Sequence, residues 1–486
     1  MEKVGRKNRV IKHLGTARNS LEENQLTDLG QQFLDRERIK SGKLALFDNR
    51  YGQSDLEKVL GNLEFVQALD SVTYGFFHHF YQAIGLDDLS DDCFCDLVIS
   101  RIILPVSKAK TRDFLERNLD KKYSLTHLYR NMQNASLKNY QEKIEQILWE
   151  YVQKQKQTIS VLFFDVTTLY FESFETDDFR KPGFSKDHKA NQPQVTVTLT
   201  VTKEGFPLYL RSFPGNKFEG HTIIPCLKDI HQKHQLNDLI VVADSAMVSE
   251  ANMEELESQN LQFIVGARLG NLPKAIFKEV TEVQKIDGET KRFRLGNSRI
   301  LIVSYSQKRA VKDHSDREKQ LRKAHFALST PSTVGKSFKF LQKTKFGDFS
   351  LNDDLIEKAK LLEGLKGYVT SSHYLTDQEV IEKYSQLWQV EKSFRMSKSD
   401  LKARPIFHTA KEKIEAHLLI VFAALAVMKE AENTTKISSA KMLERLEPIK
   451  QIIIQDKLTL EKTSKFVQPS EETISLLKLA KINWVT

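Results

Sequence analysis

Two aspartates stand where apolar strands run into polar text: Asp165 in VLFFDVT and Asp244 in LIVVADSA. A carboxylate in such a setting is costly to bury, and proteins tend to place it at a strand's carboxyl end, where a ligand or metal ion compensates it. Each aspartate alone reads equally well as the N-cap of a following helix; together they point toward function. A third acid, Glu391, lies in EKYSQLWQVEKSFRMSKSDL, where Tyr384, Glu391 and Lys398 recur every seven residues. Seven steps of a 3.6-residue helix bring a side chain back to within ~20°. The three therefore share one stripe, with Trp388 and Arg395 beside it. The alternative is a packing face on which Glu391 and Lys398 are solvated neighbours.

Three carboxylates suit a hard divalent cation. Mg²⁺ prefers oxygen ligands and keeps several waters, so a few Asp or Glu side chains and a substrate phosphate can complete its shell. Cutting and rejoining phosphodiesters calls for two such ions about 3.5–4 Å apart, one at the attacking oxygen and one at the leaving oxygen. Zinc chemistry is disfavoured, since Cys93, Cys95 and Cys226 form only a C-x-C pair and a lone thiol. Three cysteines also suggest a reducing compartment. His188 and His221 lack metal-ligand spacing to one another; one reads as a loop residue and the other as a helix start.

The elements that must position these acids change character along the chain. Residues 55–155 read mostly helical, as in SLKNYQEKIEQILWEYVQKQ, with apolar residues every three or four positions. From Thr158 the period becomes that of strands, with a hairpin turn expected at Glu204 and Gly205. Strand and helix then alternate through TIIPCLKDIHQKHQ, LIVVADSAM, SEANMEELESQN and LQFIVGAR, which indicates an α/β layer with a partly parallel sheet. Residues 269–366 loosen into short β-like runs and a charged helix and read as an insertion. Helix returns with Glu391, breaks near Arg404 and Pro405, and resumes through LLIVFAALAVM. That run of eleven residues is shorter than the ~20 needed to cross a bilayer and reads as a buried helix.

The order strand-Asp, strand-Asp, helix-Glu resembles the DDE insertion-sequence transposases, and the helix resembles their Y-x-x-R-x-x-x-E-x-x-x-x-x-x-K signature. Tyr384, Glu391 and Lys398 match by type and spacing; Leu387 stands where the signature has Arg, and Arg395 one turn beyond Glu391 is the nearest substitute. GFSKDHKANQPQVTVTLTVTKEGFPLYLRSFPGNKFEGHT, VVADSAM, YSQKRAVKDHSDREKQLRKA and LWQVEKSFRMSKSDLKARPIFH are similar to transposases of the IS-four superfamily, in its branch related to IS-sixteen-thirty-four. The resemblance covers residues 159–428. It implies an α/β ribonuclease-H-like catalytic core with a β-containing insertion, preceded by a mostly helical N-terminal region.

On that reading residues 1–155 are a candidate DNA-end-binding region. Residues 156–430 are the catalytic domain with its insertion at 269–366, and 431–486 are a helical extension with a possible role in oligomerisation. Asp165, Asp244 and Glu391 are the expected catalytic acids and ligands of two Mg²⁺ ions, with Mn²⁺ as a substitute. Asp165 would bridge the ions, Thr167 would support it from behind, and Tyr384, Arg395 and Lys398 would meet DNA. The expected partners are double-stranded terminal inverted repeats, target DNA and a second copy of the chain in a homodimer. The expected setting is a bacterial cytoplasm, at the nucleoid when acting.

Composition agrees with a soluble DNA-binding enzyme without requiring it. The 486 residues allow about three domains, are 40% hydrophobic and include only 11 Pro and 20 Gly, unlike a disordered chain. The net charge of +9 suits a polyanionic partner. Positive charge gathers between Lys3 and Arg18 and between Lys308 and Lys323. The start, MEKVGRKNRVIKH, lacks the apolar stretch of a secretory signal. Two rivals remain at this stage. A haloacid-dehalogenase-type phosphatase would explain VLFFDVT, but Val248 stands where its later acid belongs. A catalytically silent DNA-binding relative would not need all three acids.

Overall fold

The computed structural model describes residues 2–4, 7–10, 12–40, 61–155, 160–184, 191–234, 239–245, 249–296, 298–330, 338–344, 348–457 and 459–483. They fall into two units. One comprises residues up to 77, 108–125 and 437 onward; the other comprises 78–107 and 126–436. The first 155 residues are thus divided between the two.

The first unit contains β1 (Glu2–Val4) and β2 (Lys7–Arg9), α1 (Ser20–Lys40) and β3 (Leu63–Leu69). At the other end of the chain, β14 (Gln451–Asp456) pairs antiparallel with both β3 and β15 (Lys462–Phe466). The C-terminal segment, expected to be helical and then short-stranded, contributes two strands to a three-stranded sheet. Asp70, just beyond β3, pairs with Lys450 and accepts from Asn118 at 2.8 Å. This joins stretches of chain that local periodicity cannot relate.

The second unit is built on an eight-stranded sheet in the order β6-β5-β4-β7-β8-β13-β10-β9. Its members are β4 (Val161–Tyr170), β5 (Gln194–Val201), β6 (Pro207–Pro214), β7 (Ile240–Ala243), β8 (Gln262–Ala267), β9 (Thr290–Leu295), β10 (Arg299–Tyr305) and β13 (Leu365–Thr370). β4, β5 and β6 form an antiparallel meander, turned at Gly205 with φ +77°, whereas β7 and β8 run parallel to β4. Helices cover the sheet, so β5 and β7 are buried along their whole length and read as near-continuous apolar or threonine-rich runs. This mixed α/β core with a central sheet and flanking helices is consistent with a ribonuclease-H-like fold. β9, β10 and β13, two of them from the segment expected to be an insertion and one at its end, continue the same sheet beyond β8, while β11 (Leu341–Lys343) and β12 (Phe349–Leu351) form a separate antiparallel pair.

The helix Lys411–Thr435, α14 here, buries nearly every residue from Ala416 to Lys429, as its apolar run requires. Among the described residues no helix is long and apolar enough to cross a membrane. Cys93, Cys95 and Cys226 are buried thiols outside any disulfide. His188 lies outside the described residues, and His221 sits at the start of the helix Gly220–His234, called α7.

Candidate active site

Strand register brings the two aspartates together. β4 and β7 pair in parallel from Val161 opposite Ile240 to Phe164 opposite Ala243, so Asp165 and Asp244 are the next residues on adjacent strands. Sequence placed Asp165 at a strand end. In the structure β4 continues past it to Tyr170, paired with β5 alone, and Asp165 marks where β4 loses its parallel partner. Neither aspartate is a helix N-cap. Asp165 lies within a strand, and the helix Glu250–Ser258 is capped by Ser249, which accepts from the Asn252 N–H. Each carboxylate instead accepts the N–H of the next residue at 2.7 Å, Val166 for Asp165 and Ser245 for Asp244.

Glu391 reaches the site from a helix that lies on the sheet. The expected single stripe from Tyr384 to Lys398 is broken, because α12 (Asp377–Ser385) and α13 (Trp388–Ser399) are separate helices. Between them the bonds tighten to i→i−3: Leu387 N to Tyr384 O at 3.1 Å, Gln389 N to Gln386 O at 2.9 Å and Val390 N to Leu387 O at 3.2 Å. Each such step turns ~120° instead of ~100°, so Glu391 moves from about 20° on one side of Tyr384 to about 40° on the other.

Farther along α13, Phe394 and Lys398 line a small cavity with Thr167 and Leu169 of β4. Residues i, i+3 and i+7 share a helix face, and i, i+2 and i+4 share a strand face. The α13 face of Glu391 is accordingly turned to the β4 face of Asp165. Arg395 is exposed, whereas Lys398 is half-buried and Thr167 buried.

Tyr384, expected from sequence to meet DNA, is only 8% exposed. Its hydroxyl donates to Asp244 Oδ1 at 3.4 Å, and its ring meets Tyr368 edge-on at 5.1 Å. Burial pushes its hydroxyl pKa up, and the negative charges of Asp244 and Glu391 push it further. Both acids are thus close enough to act on one phenol. The ring has room because residue 266 is glycine: a Cβ there would stand 2.6 Å from the Tyr384 hydroxyl.

Sequence reasoning missed Lys366. Its ammonium lies 4.6 Å from the Tyr384 ring centre and 5.2 Å from that of Tyr368. Burial and the nearby Arg309 pull its pKa down, while Asp244 and Glu391 oppose that pull. Nothing in EGLKGYVT marks this lysine, because only the pairing of β13 with β8 carries it to the acids.

The donor set fits a hard divalent cation in kind: carboxylate oxygens, with Asp244 and Glu391 both exposed. Neither of those two has a cationic side chain within ion-pair distance among the described residues. Among the described residues, however, no group of three or more His, Cys, Asp or Glu side chains is gathered closely enough to hold a metal.

Residues 156–427 match the family model described as "Transposase DDE domain". Among solved structures, the chain is similar to a piggyBac transposase in a synaptic complex with hairpin DNA, at 12% identity, with 78% of this chain and 70% of that chain covered and a TM-score of 0.37. No curated protein matches the chain.

Proposed function

Since the chain belongs to the family of transposases with a DDE domain, we propose that it cuts DNA at the terminal inverted repeats of an insertion sequence of the IS-four type and joins the freed ends to target DNA. The observation that carries this reading is the juxtaposition of Asp165 and Asp244 where the β4–β7 pairing ends, on the face toward which α13 turns Glu391. Asp165, Asp244 and Glu391 would together hold two Mg²⁺ or Mn²⁺ ions. When bound, the ions supply an activated attacking oxygen and charge neutralisation at the leaving oxygen.

The protein's own groups do the positioning. Tyr384 fixes the Asp244 carboxylate through its hydroxyl, a role that needs the ring held by Tyr368 and Gly266. Thr167 supports the α13-facing side of β4 behind Asp165. Lys366 places a positive charge beside the acids and would meet the non-bridging oxygens of the phosphate. In cleavage, water oxygen attacks phosphorus and the bond to the 3′-oxygen breaks, leaving a 3′-hydroxyl on the element end. In joining, that hydroxyl attacks a target phosphodiester and displaces its 3′-oxygen. Two ends must be processed together, which calls for a dimer in the DNA complex.

The test is to incubate the full chain with duplexes carrying candidate element ends and Mg²⁺, and to map nicks on a sequencing gel. Nicks at the 3′ ends of the element that vanish with EDTA are expected. Their absence, in a preparation that binds those same duplexes, would overturn the assignment.

A further inference from the structure

We propose that the cleft between the helix Gln307–Ser329 and the helix Asp353–Leu361, here α10 and α11, holds a single DNA strand that runs from the acidic site to a stacking platform at Phe326. The proposal rests on the functional reading above only for the strand's destination. The cleft has a volume of 990 Å³ and is lined by seven cationic side chains against two acidic ones, with Arg309 and Lys366 among them.

Several of these cations already have partners. Arg309 pairs with Asp313 at 3.3 Å, Lys319 with Asp316 at 3.4 Å, and Arg317 with Glu363 and Glu318 at 2.6 and 2.9 Å. Lys323, Lys339, Lys358 and Lys366 have no carboxylate within ion-pair distance among the described residues. Their charge is available to an external polyanion. One end of the cleft is fixed by Lys366, stacked on the tyrosine that bonds Asp244.

The other end distinguishes a single strand from a duplex. Lys319 and Lys323 also line an adjoining recess of 380 Å³ with Arg322, Phe326 and Phe338, and Phe326 is 65% exposed. A basic groove leading to an exposed aromatic ring is the arrangement that takes single-stranded nucleic acid, since an unpaired base presents a π-face that pairing and stacking hide within a duplex. From Arg309 to Phe326 the helix rises about 26 Å at ~1.5 Å per residue, long enough to follow several nucleotides of an unpaired strand.

The experiment uses the full chain in EDTA, a fluorescent oligothymidylate and a duplex of equal length, titrated at several salt concentrations. Phe326→Ala should weaken the single-strand complex roughly ten-fold, with duplex affinity unchanged, and Phe326→Trp should restore it. Lys323→Ala and Lys358→Ala should each take about 0.7 off the single-strand slope of log K against log salt. Equal losses for single strand and duplex with Phe326→Ala, or unchanged slopes in both lysine variants, would overturn the proposal. If element ends are cut with Mg²⁺ while these variants are silent, the cleft assignment falls alone. If no ends are cut but the strand is held as described, the functional reading falls and the cleft stands.

Discussion

Two groups of acids belong to the sheet unit, and they are treated oppositely. Near β6, Glu145 is almost fully buried and pairs with Arg211, which also reaches Asp229 at 2.7 Å; Lys233 adds a bond to Asp229 at 3.0 Å, and Tyr209 donates to it at 2.7 Å. Where the β4–β7 pairing ends, Asp244 and Glu391 are exposed and have no cationic side chain within ion-pair distance among the described residues. A fold that gives one set of carboxylates cationic partners can supply counter-ions. The other set is left to a phenol and to the more distant Lys366. The first group is compensated inside the fold; on the proposed function the second would be compensated by bound cations.

The sharpest way to break this contrast is to remove the internal counter-ion. Arg211→Met leaves Glu145 buried beside an apolar chain, and breaking a buried pair from one side costs about 3–5 kcal/mol. Urea unfolding should show that loss, and Glu145→Gln in the same chain should recover part of it, because an uncharged amide needs no cation. A loss of stability below about 1 kcal/mol would mean water already reaches Glu145, and the contrast would fail.

The complementary changes should leave stability nearly untouched. Asp165→Asn, Asp244→Asn and Glu391→Gln each remove a negative ligand while keeping shape. Metal-dependent cleavage should fall by more than the ~10–100-fold typical of losing an outer-shell partner of a metal, while duplex binding persists, since carboxylates oppose phosphate contact. Gel-based cleavage and anisotropy on the same preparations decide it. Retained cleavage in any one variant removes that residue from the mechanism.

These acids were legible in the sequence for a physical reason. A carboxylate beside an apolar strand is conspicuous because burial of charge is costly, and strand and helix periods placed Asp165, Asp244 and Glu391 on the right elements. What was not legible depends on pairing over long separations. Thr370 bonds Phe263 at 107 positions' distance, and that pairing of β13 with β8 makes the segment read as an insertion continue the core sheet and brings Lys366 to the acids. The break between α12 and α13 was hidden as well, because EKYSQLWQVEKSF has no proline or glycine to announce it. Nothing in LQFIVGAR distinguishes Gly266 from any strand glycine, because the space its side chain would need is filled by Tyr384 from a distant helix.

That glycine gives the next test. Gly266→Ala would put a Cβ 2.6 Å from the Tyr384 hydroxyl and 3.3 Å from its Cζ, so the ring must shift and its bond to Asp244 must lengthen. Cleavage should fall about ten-fold, within the range for an outer-shell partner. Tyr384→Phe should cost a similar amount by deleting the same bond. The double variant should be no worse than either alone, since residues acting through one contact are not additive. Fully multiplicative losses would show that Gly266 and Tyr384 act independently, and the phenol would no longer count as the partner that orients Asp244.

The smallest expected effects belong to the two cations of α13, and the structure separates them. Arg395 is exposed, whereas Lys398 is half-buried and lines a cavity with Thr167. If Arg395 meets a duplex phosphate, Arg395→Ala should lower affinity for all DNA sequences alike and take about 0.9 off the slope of log K against log salt. Its cleavage rate at saturating DNA should not change, because nothing places its side chain at the acids. Lys398→Ala should do the reverse: a near-constant slope with slower cleavage, since that side chain lies on the helix face turned to β4 and helps hold Glu391 in register with Asp165. Parallel titrations and single-turnover cleavage compare the two readouts directly. Identical behaviour of both variants would mean that α13 presents one undivided basic surface to DNA, and the division of its faces between sheet and solvent would have no functional meaning.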